Sequence, residues 1–122
     1  MNWISDKCKK KLFWHITSKE NIFIIKKNGI KQSEYGQQGK GTYCIEAEDY
    51  DALDSVLELI EQREIKQQED YIKNLIVIEF IYSGKYMFCP KNLLVNSNEG
   101  WCVIAEDIDS YKIKKIINIK DL

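Results

Sequence analysis

The chain opens its ordered pattern with LFWHIT, residues 12–17, where large apolar side chains occupy nearly every position and one imidazole interrupts them. Such a run without alternation predicts a buried strand. Ser18 follows as a helix N-cap with Glu20 in the first turn, and a short helix is expected through Asn21, Ile22, Ile25 and Lys26 to a stop at Asn28-Gly29. The segment KQSEYGQQGKG, residues 31–41, is polar and glycine-rich without periodicity, which predicts an exposed loop. GTYCIEA then reads as a second strand. From about Asp51, Leu53, Val56, Leu57, Ile60 and Ile65 recur at helical spacing opposite glutamates and glutamines, predicting one long amphipathic helix.

The second half is β-rich. NLIVIEFIYSG predicts a buried strand by length and β-branching, and Ser83-Gly84-Lys85 turns it toward KYMFC. Pro90 ends that strand, and WCVIA and KIIN are the last two, with residues 96–100 as the turn before them. The order β-α-β-α-β-β-β-β predicts a small α+β fold with a mainly antiparallel sheet, one short helix and one long helix.

At 122 residues the chain is expected to form a single domain over residues 1–122, large enough for a core without staples. No apolar run approaches the roughly 18 residues of a membrane helix, so no membrane partner is expected. The lysines before Leu12 lack a following signal-peptide h-region, which points to a cytoplasmic protein. Cys8, Cys44, Cys89 and Cys102 are scattered without the spacing of a zinc site, so reduced thiols and no metal are expected. A formal net charge of -1 gives no global attraction to nucleic acid, although Lys7, Lys9, Lys10 and Lys11 cluster at one end.

The first half carries the most specific pattern: H-I-T-x-x-x-N-x-x-x-I-x-x-x-G-I from His15 through Asn21, Ile25 and Gly29 to Ile30, followed by G-K-G-T-Y from Gly39 to Tyr43. This resembles the ADP-ribosyltransferase superfamily of the diphtheria-toxin and poly(ADP-ribose) polymerase type, and the HIT form looks like its DNA-modifying toxin branch. LIVIEFIYSGKYM and VIAEDIDSYKIKKIINI are similar to later strands of that family. The resemblance spans nearly the whole chain, with its specificity in the first two motifs.

The resemblance implies NAD as the bound nucleotide. His15 would bond a ribose hydroxyl, backbone groups around Ile16 would hold the nicotinamide carboxamide, and Thr17 would bond the nicotinamide ribose. Tyr43 would stack on the nicotinamide ring, and Asn21 would help fix the ligand. An aromatic face for a planar leaving group, and a ring nitrogen with a hydroxyl for a ribose edge, are chemically suited to these tasks. The loop before Tyr43 would close over the nucleotide and exclude water.

Cleavage of the nicotinamide–ribose bond through a cation-like transition state needs a carboxylate nearby. Here the chain departs from the family pattern, because the catalytic glutamate's position falls on Cys102 or Trp101. Glu99 in SNEGW is the first candidate, Glu106 the second and Glu79 the third. The resulting expectation is a mono-ADP-ribosyltransferase that modifies a protein or nucleic acid, as a toxin or effector such as an anti-defence protein. Two alternatives stay open. An RNA 2'-phosphotransferase would need phosphate-site arginines, and the chain has only Arg63. A catalytically inactive binding module that blocks a partner complex would explain the missing glutamate.

Overall fold

The computed structural model describes residues 10–36, 39–63, 73–88 and 101–122. Its elements are β1 (Lys11–Ser18), a 3-10 turn (Lys19–Asn21), α1 (Ile22–Asn28), β2 (Ser33–Gly36), β3 (Gly39–Glu46), α2 (Tyr50–Arg63), β4 (Leu75–Tyr82), β5 (Met87–Phe88), β6 (Trp101–Ile104) and β7 (Ile113–Asn118). The strands form one sheet in the order β5-β6-β3-β1-β4-β7, with β2 paired to β3, and every pairing is antiparallel. The fold is therefore α+β with a mainly antiparallel sheet, as the order of elements predicts.

Strand alternation sorts the apolar side chains onto two faces. Phe13 of β1 and Ile76, Ile78, Phe80 and Tyr82 of β4 share a core with Ile25 of α1. Trp14 and Val77 face the other way and pack with Ala52, Leu53 and Val56 of α2. Both faces of the sheet centre are thus covered, which is why β4 reads as LIVIEFIY without polar alternation. Its one acidic residue, Glu79, is buried on the α2 face, where the Trp14 indole N–H donates to Oε1 at 3.1 Å and Lys115 lies 3.8 Å from Oε2. Glu79→Ala removes the indole's acceptor and is expected to cost about 1–3 kcal/mol, while Glu79→Gln keeps an acceptor and costs less. Chemical denaturation of the two variants measures the difference.

Several expectations are corrected. Residues 31–41 are not simply a loop: β2 pairs with β3 through Ser33↔Gly41 and Gly36↔Gly39. Side-chain pattern gave no sign of it because this hairpin is polar and glycine-rich. Gly41 is required there, since a Cβ would collide with the Val103 side chain. Ser18 does not cap a helix through its side chain; it precedes the 3-10 turn, and its hydroxyl donates to Glu20 Oε1 at 3.2 Å. The α-helix begins only at Ile22 and stops at Gly29, which has φ 78°.

The chain turns at residues 83–85, where the Tyr82 hydroxyl donates to the Lys85 carbonyl at 2.8 Å. No hairpin with β4 follows, because β5 pairs with β6 at the far edge of the sheet. Cys89, Pro90, Ile65 and the turn at residues 96–100 lie outside the described residues. Among the described residues, no helix is long and apolar enough to cross a membrane.

Candidate functional site: a split between β1 and β3

β1 stays in register with β4 along its whole length, from Lys11↔Tyr82 to Ser18↔Leu75. Its other edge behaves differently. Against β3 it pairs only at Phe13↔Glu46 and Trp14↔Ile45, next to a bond from the Ala47 amide to the Leu12 carbonyl. β3 meanwhile continues against β6 through Thr42↔Ile104. The sheet therefore splits between β1 and β3 just beyond Trp14.

The backbone groups that face the split follow from strand geometry. In an antiparallel pair the N–H and C=O of one residue point to the same side, and successive residues alternate. Because Leu12 bonds toward β3, so do Trp14 and Ile16. Extending the Trp14↔Ile45 register by two would set Ile16 against Tyr43. Instead, His15 Nδ1–H donates to the Tyr43 carbonyl at 2.8 Å. The imidazole occupies the place of a ladder bond, and the Ile16 amide and carbonyl face the gap where the ladder has ended.

A carbonyl can only accept, so this bond puts the proton of the neutral ring on Nδ1 and leaves Nε2 as an acceptor. Burial holds the imidazole pKa below its ordinary value, against the opposing pull of the Tyr43 bond. His15 is thus neutral at neutral pH. The sign of the linkage follows: the unfolded chain takes up the proton first, so the contribution of this ring is complete above pH 6.5 and is lost as pH falls through the lower folded value. As His15 is the only histidine, the melting temperature is expected to fall from pH 7 toward pH 5, and part of that slope should vanish in His15→Ala. Thermal melts across that range measure it.

Thr17 sits two residues along β1, on the same strand face as His15. Asn21 reaches back from the 3-10 turn, donating Nδ2–H to Thr17 Oγ1 at 2.8 Å and to Ser18 Oγ at 3.4 Å. The Thr17 hydroxyl therefore has an accepting bond already made and its own proton to give. The expected site residues His15, Ile16, Thr17 and Asn21 are together at this end of β1.

No family model matches the chain, and no curated protein or solved structure matches it.

Tyr43 joins the group through its carbonyl. Its ring, half-buried, leaves β3 on the face of Ile45 and packs with Met87 and Val103. Glu106 lies in the bend after β6 with an exposed side chain, and its carbonyl accepts the buried Thr42 hydroxyl at 2.8 Å. This ties Glu106 to the residue before Tyr43, on the β3 side of the split. Next to it, the backbone N–H of Gln32 and the nearby Lys31 hold the Asp107 carboxyl below its usual range.

Glu99 lies outside the described residues. Cys102 pairs with Cys44 in the core and is fully buried, while Trp101 pairs with Ile45, so neither position supplies an acid. Glu79 is committed to Trp14 and Lys115 on the α2 face. Among the described residues, no group of three or more His, Cys, Asp or Glu could hold a metal ion. Sequence reading missed the Tyr43 carbonyl and Thr42, because their roles depend on strand register and not on side-chain type.

Chemically, the split offers a neutral ring acceptor, a hydroxyl and a paired amide and carbonyl. An amide–carbonyl pair on one residue complements a carboxamide, which carries both an acceptor and donors. A ring acceptor beside a hydroxyl complements adjacent sugar hydroxyls.

Proposed function

We propose that the chain binds NAD in the β1–β3 split and transfers one ADP-ribose unit to a macromolecule. The observation that carries this reading is the imidazole of His15 on the Tyr43 carbonyl, at the point where the β1–β3 register stops short of Ile16. In this reading Ile16 N–H and C=O hold the carboxamide, and His15 Nε2 accepts a ribose hydroxyl proton. Thr17, steadied by Asn21, bonds the same ribose, whereas the Tyr43 ring lies on the opposite sheet face with Ile45 and Val103, so Tyr43 contributes its carbonyl and not the expected stacking face. Bound NAD supplies an ADP-ribosyl group whose bond to nicotinamide breaks with the electron pair leaving on nicotinamide. In this reading the carboxylate of Glu106, whose carbonyl is tied to Thr42 on β3, steadies positive charge on the ribose and takes the acceptor's proton. Glu99 is the other acid for this role. The setting we propose is a cytoplasmic toxin or effector, such as an anti-defence protein.

A second reading keeps the split as a binding site without transfer. It is favoured by the buried Cys102 and by Trp101 at the position where the family pattern expects an acid. Purified protein incubated with labelled NAD and a host lysate, with and without nuclease, separates the two. Label on a protein or on nucleic acid is the expected result. Bound NAD with neither label transfer nor nicotinamide release would support the binding module, and Glu106→Gln with undiminished transfer would move the acid to Glu99.

A further inference from the structure

Among the described residues, β7 is the outer strand at one end of the sheet and pairs with β4 alone. The register slips between Glu79↔Lys115 and Phe80↔Ile113, so Lys114 is a bulge residue with no partner across the ladder. Two grooves meet at it. One of about 430 Å³ is lined by Lys26 of α1 together with Lys114 and Lys115. The other, about 250 Å³, is lined by Lys10, Lys112, Lys114 and Tyr111. No acidic residue lines either groove among the described residues. Lys115 is the one of these lysines with a carboxylate partner there, Glu79.

Lysines on an edge strand also discourage unwanted strand pairing. That role does not account for two other features. Lys26 lines one groove and Lys10 the other, both from outside β7, and the two grooves share Lys114. Tyr111 is 75% exposed, and Lys112 Nζ lies 5.9 Å from its ring centroid. A cationic track with an exposed aromatic ring fits a flexible phosphate backbone with bases able to stack. An acidic protein segment would use the lysines but has no need of the ring. We infer that the β7 edge, from Lys10 past Tyr111 and Lys114 to Lys26, is a docking track for single-stranded nucleic acid.

Of the Lys7–Lys11 cluster, Lys10 joins this track, while Lys11 pairs with Glu46. The inference does not rest on the NAD reading, because the track lies across β4 from the split and its binding can be measured without NAD. It does select nucleic acid from the two acceptor classes left open above.

The test is fluorescence anisotropy of a labelled single-stranded oligonucleotide with the full chain, at several salt concentrations, with heparin as an anionic polymer lacking bases. Binding is expected to weaken with salt, with a log–log slope of about -2 to -3 for four lysine contacts on a single strand. Lys112→Ala/Lys114→Ala should weaken it about tenfold and reduce the slope by about 1.4. Tyr111→Ala should cost about fivefold or more for the oligonucleotide and nothing for heparin. Lys120→Ala, on an exposed lysine outside both grooves, should leave affinity unchanged. Matching melting curves show that the variants are folded. Absence of binding at low salt, or binding indifferent to the double variant, would overturn the inference. Equal losses for heparin and oligonucleotide in Tyr111→Ala would overturn the nucleic-acid assignment.

Discussion

Replacing His15 by alanine is expected to weaken NAD binding about a hundredfold while leaving the fold intact. The reasoning rests on what the ring does in the sheet. It takes the Tyr43 carbonyl that the Ile16 amide would take in a continuous β1–β3 ladder. Without the ring, continuing the Trp14↔Ile45 register by two sets the Ile16 amide against that carbonyl, and closing the ladder by one more pair satisfies both groups. The variant then loses the ribose acceptor and both carboxamide contacts together. Three bonds at about 1 kcal/mol each correspond to about two decades in affinity. Because the new ladder bond offsets the lost side-chain bond, the melting temperature without ligand should shift by only a few degrees. Thermal melts with and without NAD read both quantities, since a ligand that binds the folded state raises its melting temperature. An equal NAD-induced rise in His15→Ala and the parent would remove His15 from the site.

The second large effect is structural. Gly29→Ala is expected to destabilise the fold by about 3 kcal/mol or more. Gly29 has φ 78° and ψ -172°, a region that only glycine enters freely and that costs other residues about 1–3 kcal/mol. Its added Cβ would also collide with the Ile108 carbonyl. That carbonyl accepts the Ile30 amide at 2.8 Å, while the Ile108 amide donates to the Ile30 carbonyl at 2.8 Å. The reciprocal pair fastens the end of α1 to the segment that carries Glu106 and Asp107. Losing it adds about 1 kcal/mol or more per bond to the conformational cost. Lys27→Ala, on an exposed position of the same helix, serves as the control and should change stability by less than about 0.5 kcal/mol. Urea unfolding distinguishes them; a Gly29→Ala midpoint equal to that of the parent would contradict the close approach at Ile108.

What could be read from the sequence was whatever depends on neighbours in the chain. The continuous apolar run of β4 reflects burial on both faces, and Asn28-Gly29 ends α1 because the backbone there needs a positive φ. The start of α2 near Asp51 follows from helical spacing over Leu53 and Val56, both buried against Trp14 and Val77. β2 escaped because KQSEYGQQGKG carries no periodic apolar pattern, so its pairing with β3 leaves no mark in the sequence. The passage from β4 to β5 across the sheet also escaped, since a turn at residues 83–85 says how the chain reverses and not which strand it joins.

The site divides in the same way. His15, Thr17 and Asn21 stand close in sequence, and their grouping on one strand end and the following turn is local. The opening beside Ile16 is a matter of where the β1–β3 register stops, which no residue type announces. Glu106 is brought toward Tyr43 by a bond from Thr42 across 64 residues of chain. Cys102 and Trp101 could be recognised as lacking an acid, but their pairing with Cys44 and Ile45 places them in the sheet itself.

The central claim is that NAD enters the split at Ile16. Its most direct test is an NMR titration of NAD into the labelled chain, following the Ile16 amide and the His15 ring proton between its nitrogens, with the amide of Ser83, beyond the Lys11↔Tyr82 end of the β1–β4 pair, as a distant reference. The account predicts that Ile16 and His15 shift together along one saturable curve while Ser83 stays in place. Ile16 and His15 signals that do not move at millimolar NAD would contradict it.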